Sequence, residues 1–213
     1  MKIKLLLLIS LLISNFSFCQ IKKELFYDYN LDEISQEKFI SQKNSENYAL
    51  SYENETSIKT YLIEIETYGK LNYFLFESIK KYLITLKPKT TFKKNNYILI
   101  NYIDNDPIPY REGAQVPWDI MENNISKAFK KKDSVSQFYI INPNAKDLYY
   151  YHGDKLKWET DKDHFLRDKF FTFQGLNGGF LIIDKEGNYF SQKGEYSKKD
   201  VLDKMKKMHK VEN

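Results

Sequence analysis

The most informative stretch of this chain is Gly178 to Met208, GGFLIIDKEGNYFSQKGEYSKKDVLDKMKKM. Its residues 180–183 form a short apolar run between two glycines and a turn sequence, which is typical of a buried strand that enters a hairpin. Gly187 can supply the positive φ that such a turn often needs, and Tyr189 and Phe190 continue the second strand. The stretch therefore predicts a strand, a tight turn and a second strand.

A helix is predicted directly after these strands. Ser197 is a suitable N-cap, and Asp200 three residues later completes a capping box. The apolar residues that follow recur at helical spacing on one face: Val201, Leu202, Met205 and Met208. Because a stripe of this kind is usually core, the whole stretch supports a fold rather than a reaction.

The first nineteen residues have the pattern of a secretory leader. Lys2 and Lys4 precede an apolar run at residues 5–13, and Ser17 and Cys19 are small residues ahead of a cleavage site. We therefore expect cleavage after Cys19 and a periplasmic or secreted protein. The alternative is a lipoprotein anchored through Cys19, although Phe18 is larger than the residue that normally precedes a lipidated cysteine. No later apolar run has the length of a membrane span.

Composition excludes several classes of chemistry. The chain has one cysteine, Cys19, so a mature chain without the leader would lack disulfides, thiolate nucleophiles and cysteine-bound metals. The formal net charge is only +4, and part of that excess belongs to the leader. So small a charge does not predict binding to nucleic acid. The sequence also predicts no cofactor and no metal site.

Two regions are expected after the leader. Residues 20–89 read as a small α+β extension, which closes with an amphipathic helix from Leu71 to Leu86 ahead of Pro88. Residues 90–213 begin with a strand at residues 97–103, a helix starting at Pro117 and a strand at residues 135–141. This order favours a parallel pair of strands joined by a right-handed crossover.

The segment between that strand pair and the opening stretch is predicted from turn and cap signals. Residues 148–158 read as a tyrosine-rich hairpin that turns at His152-Gly153-Asp154. Thr160 and Asp163 read as a second capping box, which opens a short helix.

From Tyr97 to His209 the order of elements resembles the thioredoxin-like fold. The resemblance rests on that order and on the strand, strand and helix of residues 178–208. It implies an α/β sandwich over residues 90–213, with a mixed central sheet flanked by helices. Redox members of the family carry Cys-x-x-Cys after the first core strand, but this chain has Asp104-Asn105-Asp106-Pro107 there. The cis-proline of the family is replaced by Leu176-Asn177-Gly178. The resemblance therefore does not imply thiol–disulfide exchange.

The chain also resembles uncharacterised exported proteins of Bacteroidetes, a resemblance that implies no activity. Its many aromatic, Lys and Asn residues are typical of an AT-rich bacterial genome.

The loop after the first core strand is the main candidate for a functional surface. Asp104 and Asp106 lie at the carboxyl end of this strand, where open α/β sheets tend to place ligands. The other candidates in and beside the loop are Tyr110, Arg111 and Trp118. The same Asp-Asn-Asp-Pro sequence is also ordinary turn chemistry, so both interpretations stay open.

Two hypotheses of function follow. The first is a non-catalytic module that binds a protein or glycan of the cell envelope through this loop or through the aromatic segment that contains Tyr150 and Trp158. The second is a metal-assisted hydrolase or other acid–base enzyme that uses Asp104, Asp106 and His164. We favour the first, because an enzyme usually needs a convergent set of groups and this sequence offers only fragments of one.

Overall fold

The computed structural model describes residues 22–92, 96–104, 115–117, 134–173 and 175–211. The expected leader and the helix predicted after Pro117 lie outside these residues. Contacts divide the chain into two compact units, Met1–Ile63 and Glu64–Asn213, which we call the N-terminal and C-terminal units. Together the described residues form a mixed α/β protein with two mixed sheets and four α-helices.

The N-terminal unit is a four-stranded sheet with one helix. Its strands follow the order β2-β1-β4-β3, and β1 lies parallel to β4. Ser35 caps the helix, because its Oγ accepts a hydrogen bond from the Lys38 N–H at 3.2 Å. The elements are β1 (Lys23–Tyr27), β2 (Glu33–Ile34), α1 (Gln36–Gln42), β3 (Asn47–Glu53) and β4 (Ser57–Glu64).

The C-terminal unit contains a six-stranded sheet in the order β5-β10-β9-β6-β7-β8. The strands β6, β7 and β8 run parallel to one another, while β9 lies antiparallel to β6, β10 to β9 and β5 to β10. Its elements are β5 (Glu66–Lys70), α2 (Tyr73–Leu86), β6 (Asn96–Ile103), β7 (Ser134–Ile141), β8 (Glu159–Thr160), α3 (Arg167–Phe170), β9 (Gly179–Ile183), β10 (Asn188–Lys193) and α4 (Lys198–Val211).

The prediction for residues 178–208 is confirmed. The strands β9 and β10 pair as a hairpin, and Gly187 in its turn has a φ of 80°. The capping box is formed in both directions. The Asp200 carboxylate accepts from the Ser197 N–H at 2.7 Å, and Ser197 Oγ accepts from the Asp200 N–H at 3.3 Å. Local sequence signals therefore suffice for this stretch.

Side chains of the central sheet pack against helices on both faces. On one face, Ile79 and Leu83 of α2 join a core that includes Ile98 and Ile100 of β6. On the other face, Val201 and Met205 of α4 belong to a core with Leu99, Phe180 and Ile182. The alternation of β6 side chains between the two cores follows from the period of two in a strand. None of the helices in the described ranges is both long and apolar enough to cross a bilayer.

The division between the units lies before residue 64, whereas the sequence predicted a boundary at residue 89. The difference arises from strand pairing that is distant in sequence. The strand β5 pairs with β10, and α2 covers the sheet with residues that are completely buried. Both elements therefore belong to the C-terminal unit.

Two local predictions are wrong. The hairpin predicted at residues 148–158 is instead a 3₁₀ turn, Tyr149–Tyr151, because His152 adopts the left-handed conformation and donates its backbone N–H to the Tyr149 carbonyl. The capping box predicted from Thr160 and Asp163 is also absent. Thr160 ends β8, and it is the carboxylate of Asp161 that accepts the backbone N–H groups at the start of α3.

Candidate functional site

The candidate site lies at the end of the central sheet where β6, β7 and β10 finish and β9 begins. Strand register sets this convergence, since Tyr102 pairs with Gly179, Gly179 pairs with Lys193, and Ile103 pairs with Ile141. Loops from distant parts of the sequence therefore meet at this end of the sheet. In open α/β sheets, ligands commonly bind outside the carboxyl ends of parallel strands.

A cavity of about 220 Å³ opens between these loops. Apolar atoms form most of its wall, and the polar side chains Asn177 and Glu195 also line it. The tyrosines that line it come from β6, the 3₁₀ turn and the loop after β10: Tyr102, Tyr150, Tyr151 and Tyr196. A mostly apolar hollow with a few polar groups is the usual character of a binding site.

Close backbone packing builds the wall beside β6. Gly178 has a φ of 113°, and a Cβ atom at this position would lie 2.0 Å from the carbonyl oxygen of Tyr102. Only glycine therefore fits here. The carbonyl of Gly178 also accepts the Gly194 N–H at 2.8 Å, which brings the loops before β9 and after β10 together. Asn177 and Glu195 are thereby held at the same end of the sheet.

The opposite wall is fixed by hydrogen bonds between residues 115–117 and the 3₁₀ turn. The Val116 N–H donates to the Tyr150 carbonyl at 2.9 Å, and Gln115 Nε2 donates to the Tyr149 carbonyl at 2.9 Å. The imidazole of His152 contacts the Val116 carbonyl oxygen through Nε2. These bonds hold the backbone that carries Tyr150 and Tyr151.

Tyr196 is positioned by a chain of polar groups that includes the buried Asn101. Its hydroxyl accepts a hydrogen bond from Asn101 Nδ2 at 2.7 Å, and Asn101 Oδ1 accepts from Gln137 Nε2 at 2.9 Å. Burial raises the pKa of Tyr196 to about 12, and the hydrogen bond from Asn101 opposes this shift. The hydroxyl is therefore neutral at physiological pH.

Asp104 lies at the same end of the sheet and is almost fully buried. Its carboxylate accepts hydrogen bonds from Asn142 Nδ2 and from the Gly175 N–H, both at 3.2 Å. Arg167 Nε lies 3.9 Å from Oδ1. Burial raises the pKa of Asp104, while the bonds from Asn142 and Gly175 and the charge of Arg167 partly offset that shift. The carboxylate is thus occupied by internal partners.

Asp161 is a second buried acid, and it lies close in sequence to His164. Its carboxylate accepts from the hydroxyl of Tyr82 at 2.8 Å and from the hydroxyl of Tyr102 at 3.3 Å. It also accepts from the backbone N–H groups of Leu166 and Arg167. Burial and the neighbouring Asp161 raise the pKa of both tyrosines. This network joins α2, β6 and α3.

Three of the predicted site residues lie in the described part of the chain, namely Asp104, Tyr150 and Trp158. Tyr150 lines the cavity, whereas Trp158 packs behind it, where Nε1 donates to the Tyr151 carbonyl at 3.2 Å. Asp104 is not among the lining residues of the cavity, and its carboxylate accepts hydrogen bonds from Asn142 and Gly175. The remaining predicted residues lie outside the described ranges: Asp106, Tyr110, Arg111 and Trp118.

Tyr196, Glu195 and Asn177 were missed as site residues. For Glu195 and Tyr196, the signal in the sequence was their position directly after Gly194, at the end of a predicted strand. In the described part of the chain, no three His, Cys, Asp or Glu side chains are grouped so that they could hold a metal ion.

No family model, curated protein or solved structure matches this chain. Its function is therefore inferred from its own residues and their geometry.

Proposed function

We propose that this chain is an exported, non-catalytic module with a thioredoxin-like domain, and that it binds a protein or glycan ligand in the cell envelope. The parallel pair β6 and β7, followed by the antiparallel hairpin of β9 and β10 and by α4, supports the thioredoxin-like assignment. Since no cysteine follows Cys19, such a domain would not exchange disulfides after cleavage of the leader.

The observation that carries the proposal is the tyrosine-lined cavity at the carboxyl end of β6. Tyrosine offers a large apolar surface and a polar hydroxyl on a side chain with few rotatable bonds, so it contributes contact area at low entropic cost. Asn177 and Glu195 add an amide and a carboxylate that can orient a polar ligand. Sugars and peptides both present surfaces of this mixed character.

The buried acids favour binding over acid–base catalysis. A catalytic carboxylate must reach its substrate, but Asp104 and Asp161 are both almost completely buried and their oxygens accept hydrogen bonds from the protein itself. The alternative hydrolase, with Asp104, Asp106 and His164, receives less support for this reason.

The test compares two adjacent tyrosines. The exported protein is screened against immobilised envelope glycans and peptides, and each ligand found is measured again with Tyr150→Ala and Tyr149→Ala. Tyr150 lines the cavity, whereas Tyr149 is 56% exposed and is not among its lining residues. We expect Tyr150→Ala to weaken binding at least fivefold, since an aromatic contact is worth about 1 kcal/mol beyond its buried area.

Tyr149→Ala is expected to bind as the unmodified protein does. Equal affinities for all three proteins would place the ligand outside the cavity and would contradict the proposal. Circular dichroism of both variants checks that any loss does not come from unfolding.

A further inference from the structure

We propose that the cavity at the carboxyl end of β6 binds the positively charged side chain of a lysine or arginine on a partner polypeptide. This inference rests on the proposed binding function and specifies its ligand. It draws on three properties of the cavity wall, namely its charge, its aromatic rings and its size.

The described wall contains an acidic residue and no basic one. Among the described lining residues, Glu195 is the one that carries a carboxyl group. The tyrosine hydroxyls beside it stay protonated, because burial raises the pKa of both Tyr102 and Tyr196. Glu195 is exposed to solvent, and its Oε1 lies 3.5 Å from Asn177 Nδ2. A carboxylate at this position attracts a cation and repels an anionic ligand.

The aromatic rings reinforce this preference. The face of a tyrosine ring carries negative electrostatic potential, and a cation within about 6 Å of the ring centre is attracted to it. The rings of Tyr150 and Tyr151 stand at 89° with centroids 4.8 Å apart. This edge-to-face contact packs the partly exposed ring of Tyr150 against the buried ring of Tyr151, and Tyr196 lines the same cavity. Such groups of aromatic side chains are characteristic of sites that recognise ammonium groups.

The size and apolar character of the cavity indicate a side chain rather than a larger ligand. Its 220 Å³ lie below the range of about 300–1,000 Å³ that drug-sized molecules occupy. Lysine and arginine combine an apolar stem with a charged end group. The cavity offers both matching surfaces, since Ile103 and Val116 are apolar lining residues and Glu195 is acidic.

The test uses short blocked peptides that differ only in the charge of one side chain. Acetyl-Gly-Lys-Gly-amide is compared with its norleucine counterpart, and the arginine peptide with its citrulline counterpart, by calorimetry and NMR titration of the exported protein. We expect the charged peptides to bind at least tenfold more tightly than the neutral ones. Raising the salt concentration from about 0.01 M to 0.5 M is expected to weaken the binding of the lysine and arginine peptides only. The reason is that added salt shortens the distance over which charges attract one another.

Two matched variants locate the interaction. Glu195→Gln removes the charge of the cavity wall and is expected to weaken the lysine peptide at least fivefold. Glu186→Gln removes an exposed acid in the turn between β9 and β10, at the other end of the sheet, and is expected to leave the affinity unchanged.

The outcomes separate this inference from the proposed function. Equal binding of the lysine and norleucine peptides would overturn the inference. If only a neutral glycan bound, and Tyr150→Ala abolished that binding, the proposed binding function would be supported. The preference for a cation would then be wrong. If nothing bound in a manner that depended on Tyr150, both proposals would fail.

Discussion

Asp161 shows how a single buried carboxylate can hold three elements together. It accepts hydrogen bonds from two backbone N–H groups near α3, from Tyr82 of α2 and from Tyr102 of β6. Removal of the acceptor would break all of these hydrogen bonds, although the Tyr82 hydroxyl would keep its contact with the Lys162 carbonyl at 3.4 Å. Unsatisfied buried donors cost more than the net gain of making a hydrogen bond.

Replacement of this acid tests its role. We expect Asp161→Asn to lower the free energy of unfolding by about 3 kcal/mol, because an amide cannot accept at both positions. The matched control is Asp163→Asn, two residues away, where the side chain is exposed and asparagine tolerates the positive φ of 56°. Urea unfolding measures the free energy of unfolding of both variants. Equal effects would show that the hydrogen bonds of Asp161 carry little stability.

Asp104 gives a prediction about pH. Because burial raises its pKa, the folded protein holds this proton more tightly than the unfolded chain does. The stability that Asp104 contributes is therefore greatest below its unfolded pKa of about 4, and it is lost as the pH rises through the raised folded pKa. Asp104→Asn cannot titrate in this way.

We expect the free energy of unfolding of the unmodified protein, relative to that of Asp104→Asn, to fall as the pH is raised from about 4 towards neutrality. Urea unfolding of both proteins across this range measures the difference. A difference that rises with pH would mean that the hydrogen bonds from Asn142 and Gly175 and the charge of Arg167 outweigh burial.

Among the elements, the start of β9 depends on the absence of a side chain. A Cβ atom on Gly178 would overlap the carbonyl oxygen of Tyr102, whereas one on Gly175 would meet no atom within 4 Å. Both glycines have positive φ, so the two positions share the backbone strain that alanine would introduce. They differ in the steric contact with β6.

We expect Gly175→Ala to cost about 1 kcal/mol of stability, which is the usual penalty for the left-handed conformation. Gly178→Ala is expected to cost about 3 kcal/mol or more, because β6 and β9 would have to separate. Thermal unfolding followed by circular dichroism compares them. Similar midpoints for the two variants would contradict the close approach of these strands.

At the scale of the whole molecule, the division before residue 64 gives a test of domain organisation. A fragment of residues 64–213 retains β5 and α2, and we expect it to unfold cooperatively. A fragment of residues 90–213 lacks both elements. It would expose the edge of β10 and remove Ile79 and Leu83 from the core, so we expect it to lack a cooperative transition. Cooperative unfolding of the shorter fragment would favour the boundary at residue 89 that the sequence predicts.

Local patterns account for the elements that the sequence predicted well. The capping box of Ser197 and Asp200 and the turn at Gly187 involve residues within a few positions of one another, so the sequence contains all the interacting groups. The prediction of a hairpin at residues 148–158 was wrong because the three consecutive tyrosines of Tyr149–Tyr151 show no clear alternation of polar and apolar residues. The conformation of this turn is instead fixed by hydrogen bonds to Gln115 and Val116.

By itself, the sequence determined the strand, turn, strand and helix of residues 178–208, the parallel pair β6 and β7, and the absence of any thiol after Cys19. Only the tertiary structure decided which side chains share the cavity and which acids are buried. Tyr150, Asn177 and Glu195 meet there because the strand order β10-β9-β6-β7 brings their loops to one edge. Pairing between distant strands depends on how many side chains from several segments become buried together, so it cannot be read from any one short segment of the sequence.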